Sequence, residues 1–270
     1  MKDWQAQSEA LFPEHRAVIA CSGPSLRGFD VYGEGCPVVA ISTAVRWEGV
    51  WDHRDIVPTA WCNVDPPNHN HGEHHPQLLR DERCVHVSPE DTAKRDRTIE
   101  SKAARMIIVP YNRRVSHDTG RKPFHEPPLL RSVHKTVTFA VQWLWFAGVR
   151  EVIFAGCDLN TGHRWEEKYA YRVRDNRQLS AQPRALKSAG DALVGWAGIA
   201  MKAGYRWITA SPGPLTSCCE MHPLLDCEPM PPRQPAKRGG HTDHEQPRSN
   251  PGRDGKEGRR VSSVQPKRAR

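Results

Sequence analysis

No two of the eight cysteines (Cys21, Cys36, Cys62, Cys84, Cys157, Cys218, Cys219 and Cys227) stand in a Cys-x-x-Cys pair. That removes the common zinc and thioredoxin-type signatures. Several of these cysteines fall inside expected strands, where a free thiol behaves as a small apolar side chain. Long apolar runs are missing as well. The longest, Phe139 to Val149, contains Gln142 and is too short to span a bilayer. Charged and polar residues follow Met1, so no signal peptide is expected, and the reading is a soluble cytoplasmic protein in a reducing compartment. No internal repeat is evident.

A basic folded surface is also lacking, although the chain of 270 residues has a net charge of +8. Residues 229–270 hold 11 Lys/Arg and 4 Asp/Glu, so they account for +7 of that charge. The preceding 228 residues are close to neutral. The tail also has seven Pro, five Gly and no aromatic residue. It cannot bury enough apolar surface to offset the entropy of ordering, so disorder is expected there. The expected organisation is one folded domain over 1–228 and a basic tail over 229–270. The tail reads either as a solvated extension or as an arm seeking the phosphates of nucleic acid.

What is present within the first part is an alternation of short buried runs and helical stretches. Arg16–Cys21 and Pro37–Ser42 are near-continuous apolar runs of the kind parallel sheets require. Thr59–Val64, Cys84–Val87, Met106–Val109, Glu151–Ala155 and Tyr205–Ala210 are further candidate strands. The pattern predicts an amphipathic helix over His134–Ala147 and another over Arg184–Lys202, stopped by Gly148 and Gly204. Each leads directly into a strand, which is half of a βαβ crossover. The fold class is therefore α/β and Rossmann-like, a mostly parallel sheet with helices on both faces. Residues between Asp65 and Arg105 are polar and rich in His and Pro, and read as loops with one short strand.

Four segments at the carboxyl ends of expected strands carry chemistry. Ser22-Gly23-Pro24-Ser25 follows the first strand as a small-residue turn, which lets backbone N–H groups approach an anion while both serines add hydroxyls. It is neither Gly-x-Gly-x-x-Gly nor a Lys-bearing phosphate loop. Ser42 ends the second strand, Asn63 and Asp65 close the third, and Asp158 follows Gly156-Cys157 after Glu151–Ala155. Ligands of open α/β sheets sit beyond these strand ends. His69, His71, His74 and His75 suit a metal by residue type, yet no Cys or carboxylate stands at convincing spacing, and they read as a loop without metal. Trp143, Trp145, Trp196 and Trp207 read as core.

The Gly23-Pro24-Ser25-Leu26 turn, the Val-Ala-Ile-Ser strand end, the helix Thr136–Gly148 and the run Arg150 to Leu159 together resemble one superfamily. Its members are the sialyltransferase-like glycosyltransferases, the archaeal-type hydroxymethylpterin diphosphokinases and related phage proteins. The likeness runs from about Val18 to Ser217 and includes Ala210-Ser211-Pro212. It implies a Rossmann-like fold with the turn near the nucleotide phosphates. It also implies that Tyr169 and Tyr171 support the leaving phosphate, and that Lys187 stands near the place of that branch's catalytic His.

The expectation is a nucleotide-sugar-dependent glycosyltransferase whose acceptor is a saccharide or a hydroxymethylated DNA base, working in a host cytoplasm if phage-encoded. Alternatives are an ATP-dependent diphosphokinase, with Asp65 and Asp158 ligating Mg2+, and a catalytically silent nucleotide-binding module of virion-associated type.

Overall fold

The computed structural model describes residues 4–52, 54–64, 76–95, 103–116, 124, 129–131, 136–159 and 183–223. The chain divides into two units, Met1–Pro232 and Arg233–Arg270, and every described residue belongs to the first. The boundary expected after residue 228 and the basic tail lie outside the described residues.

The apolar runs become β1 (Arg16–Ala20), β2 (Val38–Ile41), β3 (Ala60–Cys62), β4 (Val85–Pro89) and β5 (Met106–Val109). Further along the chain come β6 (Tyr111–Ser116), β7 (Leu129–Arg131), β8 (Glu151–Ala155), β9 (Arg206–Thr209) and β10 (Glu220–Met221). Eight of these form one sheet in the order β10-β9-β8-β1-β2-β3-β4-β5, with every neighbouring pair parallel. This is an α/β fold of Rossmann-like type. Strands buried on both faces must be apolar, and β2 and β3 are so throughout, as are β1 and β8 beyond their half-buried first residues Arg16 and Glu151.

Helices lie on both faces, but unequally. α1 (Trp4–Glu9), α4 (Thr136–Phe146) and α5 (Pro183–Lys202) pack on the face that carries Ala17, Ile19, Val39 and Phe154. The opposite face, with Val18, Ala20, Ala40 and Trp61, is covered by short 3-10 turns, loops and α2 (Pro76–Arg80). α3 (Glu90–Arg95) follows β4 directly. The segment between Asp65 and Arg105 therefore holds two helices besides its strand, where loops were expected.

α4 departs from the expected amphipathic pattern. Residues Thr136 through Leu144 are all buried, which is the signature of a helix enclosed on every side. Its outer side is covered in part by the two-stranded parallel sheet β6–β7, which sequence periodicity missed. Tyr111 of β6 meets the Phe139 ring edge-on at 6.0 Å. Phe124 stacks on Trp145 at 4.2 Å, and Trp145 on Tyr205 at 3.7 Å. Trp143, Trp196 and Trp207 are core residues, and the Trp143 indole donates to Ser8 Oγ at 2.8 Å.

Gly148 and Gly204 end α4 and α5 at φ +76° and +80°, a left-handed conformation that costs glycine nothing. Val149 N–H bonds back to the Leu144 carbonyl and Tyr205 N–H to that of Ala200, so both helices finish in the expected glycine cap. At the amino ends of the strands, Glu151 accepts from Arg16 Nε at 2.6 Å and Arg206 Nη1 at 2.8 Å. Burial alone would raise the Glu151 carboxyl, but these two hydrogen bonds outweigh it and hold it below its ordinary value. Among the described residues no helix is long and apolar enough to cross a membrane.

β4 carries an unusual pair on one side. His86 and Ser88 are buried, and among the described residues neither the imidazole nitrogens nor the hydroxyl finds a hydrogen-bond partner. His86 instead meets the Trp61 ring edge-on at 5.3 Å. Desolvation lowers the His86 pKa from 6.5 to about 4, so the ring is neutral at neutral pH. Between those values the unfolded chain takes up a proton that the folded chain refuses. The stability contribution is complete above pH 6.5 and is lost as pH falls to about 4, with a slope of at most about 1.4 kcal/mol per pH unit. Replacing His86 with Phe should flatten that slope, measured by urea unfolding across a pH series. An unchanged acid slope would contradict the assignment.

Candidate functional site

The chain winds outward from β1 through β2, β3 and β4 to β5, then returns to pair β8 against the other side of β1. It continues outward through β9 and β10. Strand order therefore reverses between β1 and β8. At such a point the segments leaving the two strands part to opposite faces and open a crevice at their carboxyl ends. Cys21–Ser25 and Gly156–Leu159 are those two segments.

They are tied together directly. Cys21 N–H donates to the Ala155 carbonyl at 2.7 Å, and Gly23 N–H to that of Gly156 at 2.8 Å. Asp158, 4% exposed, then accepts two hydrogen bonds from Ser25. The backbone N–H reaches Oδ2 at 3.0 Å and the hydroxyl donates to Oδ1. A buried carboxylate needs such donors, because desolvating an unpaired charge costs several kcal/mol.

Glycine is required twice at this joint. A Cβ on Gly23 would lie 2.4 Å from Asp158 Oδ2 and 2.4 Å from the Gly156 carbonyl. One on Gly156, at φ +66°, would lie 2.3 Å from the Cys21 carbonyl. Gly23 thus answers first to the protein's own carboxylate, where the sequence suggested approach to a ligand. The helix expected after the turn is a single 3-10 turn, Pro24–Gly28, whose N-cap Gly23 makes no side-chain cap. So short a helix contributes little dipole, and Ser25 is not its cap.

The remaining donors of the turn are those of Ser22. Neither its amide nor its hydroxyl is engaged by another described residue. Ser42 stands at the end of β2 with φ +49°, a left-handed conformation uncommon outside glycine, and its carbonyl accepts from Trp61 Nε1 at 2.8 Å. Asn63 is buried beyond β3, its N–H bonded to the Val87 carbonyl at 3.1 Å. Ser22, Gly23, Pro24, Ser25, Ser42, Asn63 and Asp158 therefore all fall at the carboxyl edge of the sheet.

Lys187 does not join the Ser25–Asp158 pair. It lies exposed on α5 and pairs with Asp191 at 2.8 Å, one helical turn on. Asp65, Tyr169, Tyr171 and the His69–His75 cluster lie outside the described residues. Among the described residues no cluster of three or more His, Cys, Asp or Glu is arranged to hold a metal ion.

Residues that the sequence did not single out complete the joint. Ser211, buried beyond β9, accepts the Cys157 N–H at 2.8 Å. Gly213 lies so close that a Cβ there would stand 2.3 Å from the Asp158 carbonyl. The similarity noted for Ala210-Ser211-Pro212 marked the segment but not its hydrogen bond to β8.

Comparison with protein-family models, curated proteins and solved structures finds no match.

The Ser25–Asp158 contact should be energetically coupled. Ser25→Ala and Asp158→Asn should each destabilise the fold, and the double variant should lose less than their sum. The coupling expected for a hydrogen bond to a buried charge is about 1–3 kcal/mol. Additive losses in denaturant unfolding would dissolve the clamp.

Proposed function

We propose that the chain is a nucleotide-dependent transferase that holds its donor at the β1–β8 crevice and, more specifically, a glycosyltransferase using a nucleotide sugar. The observation that supports it is the meeting of the Ser22–Ser25 turn with Asp158 where strand order reverses, a usual ligand position in this class of sheet. Because Asp158 already engages both donors of Ser25, the donor's phosphate is assigned to the amide and hydroxyl of Ser22. Ser42 and Asn63 are assigned to the nucleoside or sugar. The resemblance adds Tyr169 and Tyr171 at the leaving phosphate, and Asp65, which closes the third strand with Asn63 in the sequence, is assigned to the nucleotide. Catalysis would be chiefly positioning and stabilisation of the departing phosphate. The acceptor is a saccharide or a hydroxymethylated DNA base, the latter reading drawing on the basic tail.

Two findings weigh on the alternatives. A diphosphokinase would use Asp158 as a Mg2+ ligand, whereas both its oxygens accept from Ser25. For a silent nucleotide-binding module, Lys187 is the residue to weigh, since it lies exposed and pairs with Asp191 on its own helix. Donor turnover separates that reading from the transferase.

A nucleotide matched to the site should stabilise the native protein by about 2.7 kcal/mol at a hundredfold excess over its dissociation constant. CMP, UDP, GDP, ADP and ATP should be compared by thermal shift, together with Ser22→Asp, which sets a negative charge where the phosphate is placed. The variant should keep its fold and lose the shift. Absence of any shift in the wild type at millimolar nucleotide would end the proposal.

A further inference from the structure

Four of the eight cysteines converge beside the crevice, and neither the fold nor the proposed transfer uses their chemistry. Cys157 lies between Gly156 and Asp158, and the neighbouring thiol of Cys21 at the end of β1, together with burial, pushes its own thiol up. Cys219 lies within electrostatic reach of Cys157. Its neighbour Cys218 places Sγ 3.8 Å from Cys219 Sγ. The inner two are buried and the outer two half-buried. Both outer residues are fixed by one acceptor. Cys218 and Cys219 N–H groups bond to the Leu215 carbonyl at 3.1 and 2.9 Å, closing the 3-10 turn Pro214–Ser217. Among the described residues no group of three or more His, Cys, Asp or Glu is arranged to hold a metal ion.

We propose that Cys218 and Cys219 form a thiol–disulfide exchange site for small-molecule disulfides such as oxidised glutathione. The Cys218 thiolate attacks one sulfur of the small disulfide, forming a mixed disulfide and releasing one thiolate. The Cys219 thiolate then attacks the Cys218 sulfur, closing the protein disulfide and releasing the second thiolate. Two protein thiols are oxidised, one small disulfide is reduced to two thiols, and two protons leave the protein. Burial, reinforced by Cys218, pushes the Cys219 thiol up, so closure by Cys219 speeds up with rising pH. Closure draws the sulfurs from 3.8 Å to about 2.05 Å. It ties down the turn behind Gly213, the residue packed on the Asp158 backbone.

The test is to equilibrate the full chain with oxidised glutathione, alkylate the remaining thiols and map the peptides by mass spectrometry. The wild-type peptide carrying Cys218 and Cys219 should lose two hydrogens and resist alkylation. Cys219→Ser should stop at one glutathionyl adduct on Cys218, and Cys218→Ser should give no closed product. Phenylarsine oxide, which bridges paired thiols, should protect both cysteines together in the native chain. Accumulation of the mixed disulfide in the wild type, or full alkylation of both residues after glutathione or the arsenical, would overturn the proposal.

Discussion

Asp158 is a carboxylate held almost out of water, and its need for hydrogen-bond donors governs how the β1 and β8 segments leave the sheet. Ser25 supplies two of those donors, from opposite ends of the same residue, and the turn can deliver both only if its backbone comes down onto β8. That descent forces glycine at 23 and at 156, where any side chain would strike a carbonyl or the carboxylate itself. Ser211 and Gly213 then close the third side from beyond β9. The joint is thus one interdependent unit of three loops. The joint fixes where Ser22 stands, and Ser22 is the residue of the turn whose amide and hydroxyl no other described residue engages.

The layering of the fold explains why this joint can be so tight. The long helices α4 and α5 both lie on one face, with a core of large rings that includes Phe139, Trp143, Trp196 and Trp207. The other face is closed by short turns that leave the strands almost at once, among them Pro24–Gly28 and Ser42–Arg46. With no long helix to accommodate there, the segments after β1 and β2 stay close to the sheet edge. The price is local strain at Ser42 and a polar pair, His86 and Ser88, enclosed on β4 with no hydrogen-bond partner among the described residues.

The parallel sheet was legible in the sequence because strands buried on both faces must be almost wholly apolar, and Arg16–Cys21 and Pro37–Ser42 are near-continuous apolar runs. Gly148 and Gly204 were legible as helix stops for an equally local reason. The enclosure of α4 was not, because what covers it is the β6–β7 pair, and that pairing is set by contacts distant in sequence. At the site, the turn and the Gly-x-Asp run announced themselves separately, as small and polar residues after apolar strands. That the carboxylate would bind the turn depends on β8 pairing with β1, which no spacing in the chain reveals. Lys187 was placed by analogy of position, and the structure sets it exposed on α5 beside Asp191, one turn on.

Hydrogen exchange at single amides tests the central claim, that Asp158 organises the turn and leaves Ser22 to the ligand. In the wild type the Ser25 amide should exchange slowly, because it is bonded to a buried carboxylate, while the Ser22 amide exchanges fast. In Asp158→Ala the protection of Ser25 should collapse while core amides such as Ile19 and Phe154 keep theirs. Equal, fast exchange at Ser22 and Ser25 in the wild type, or protection of Ser25 that survives the loss of Asp158, would contradict the account.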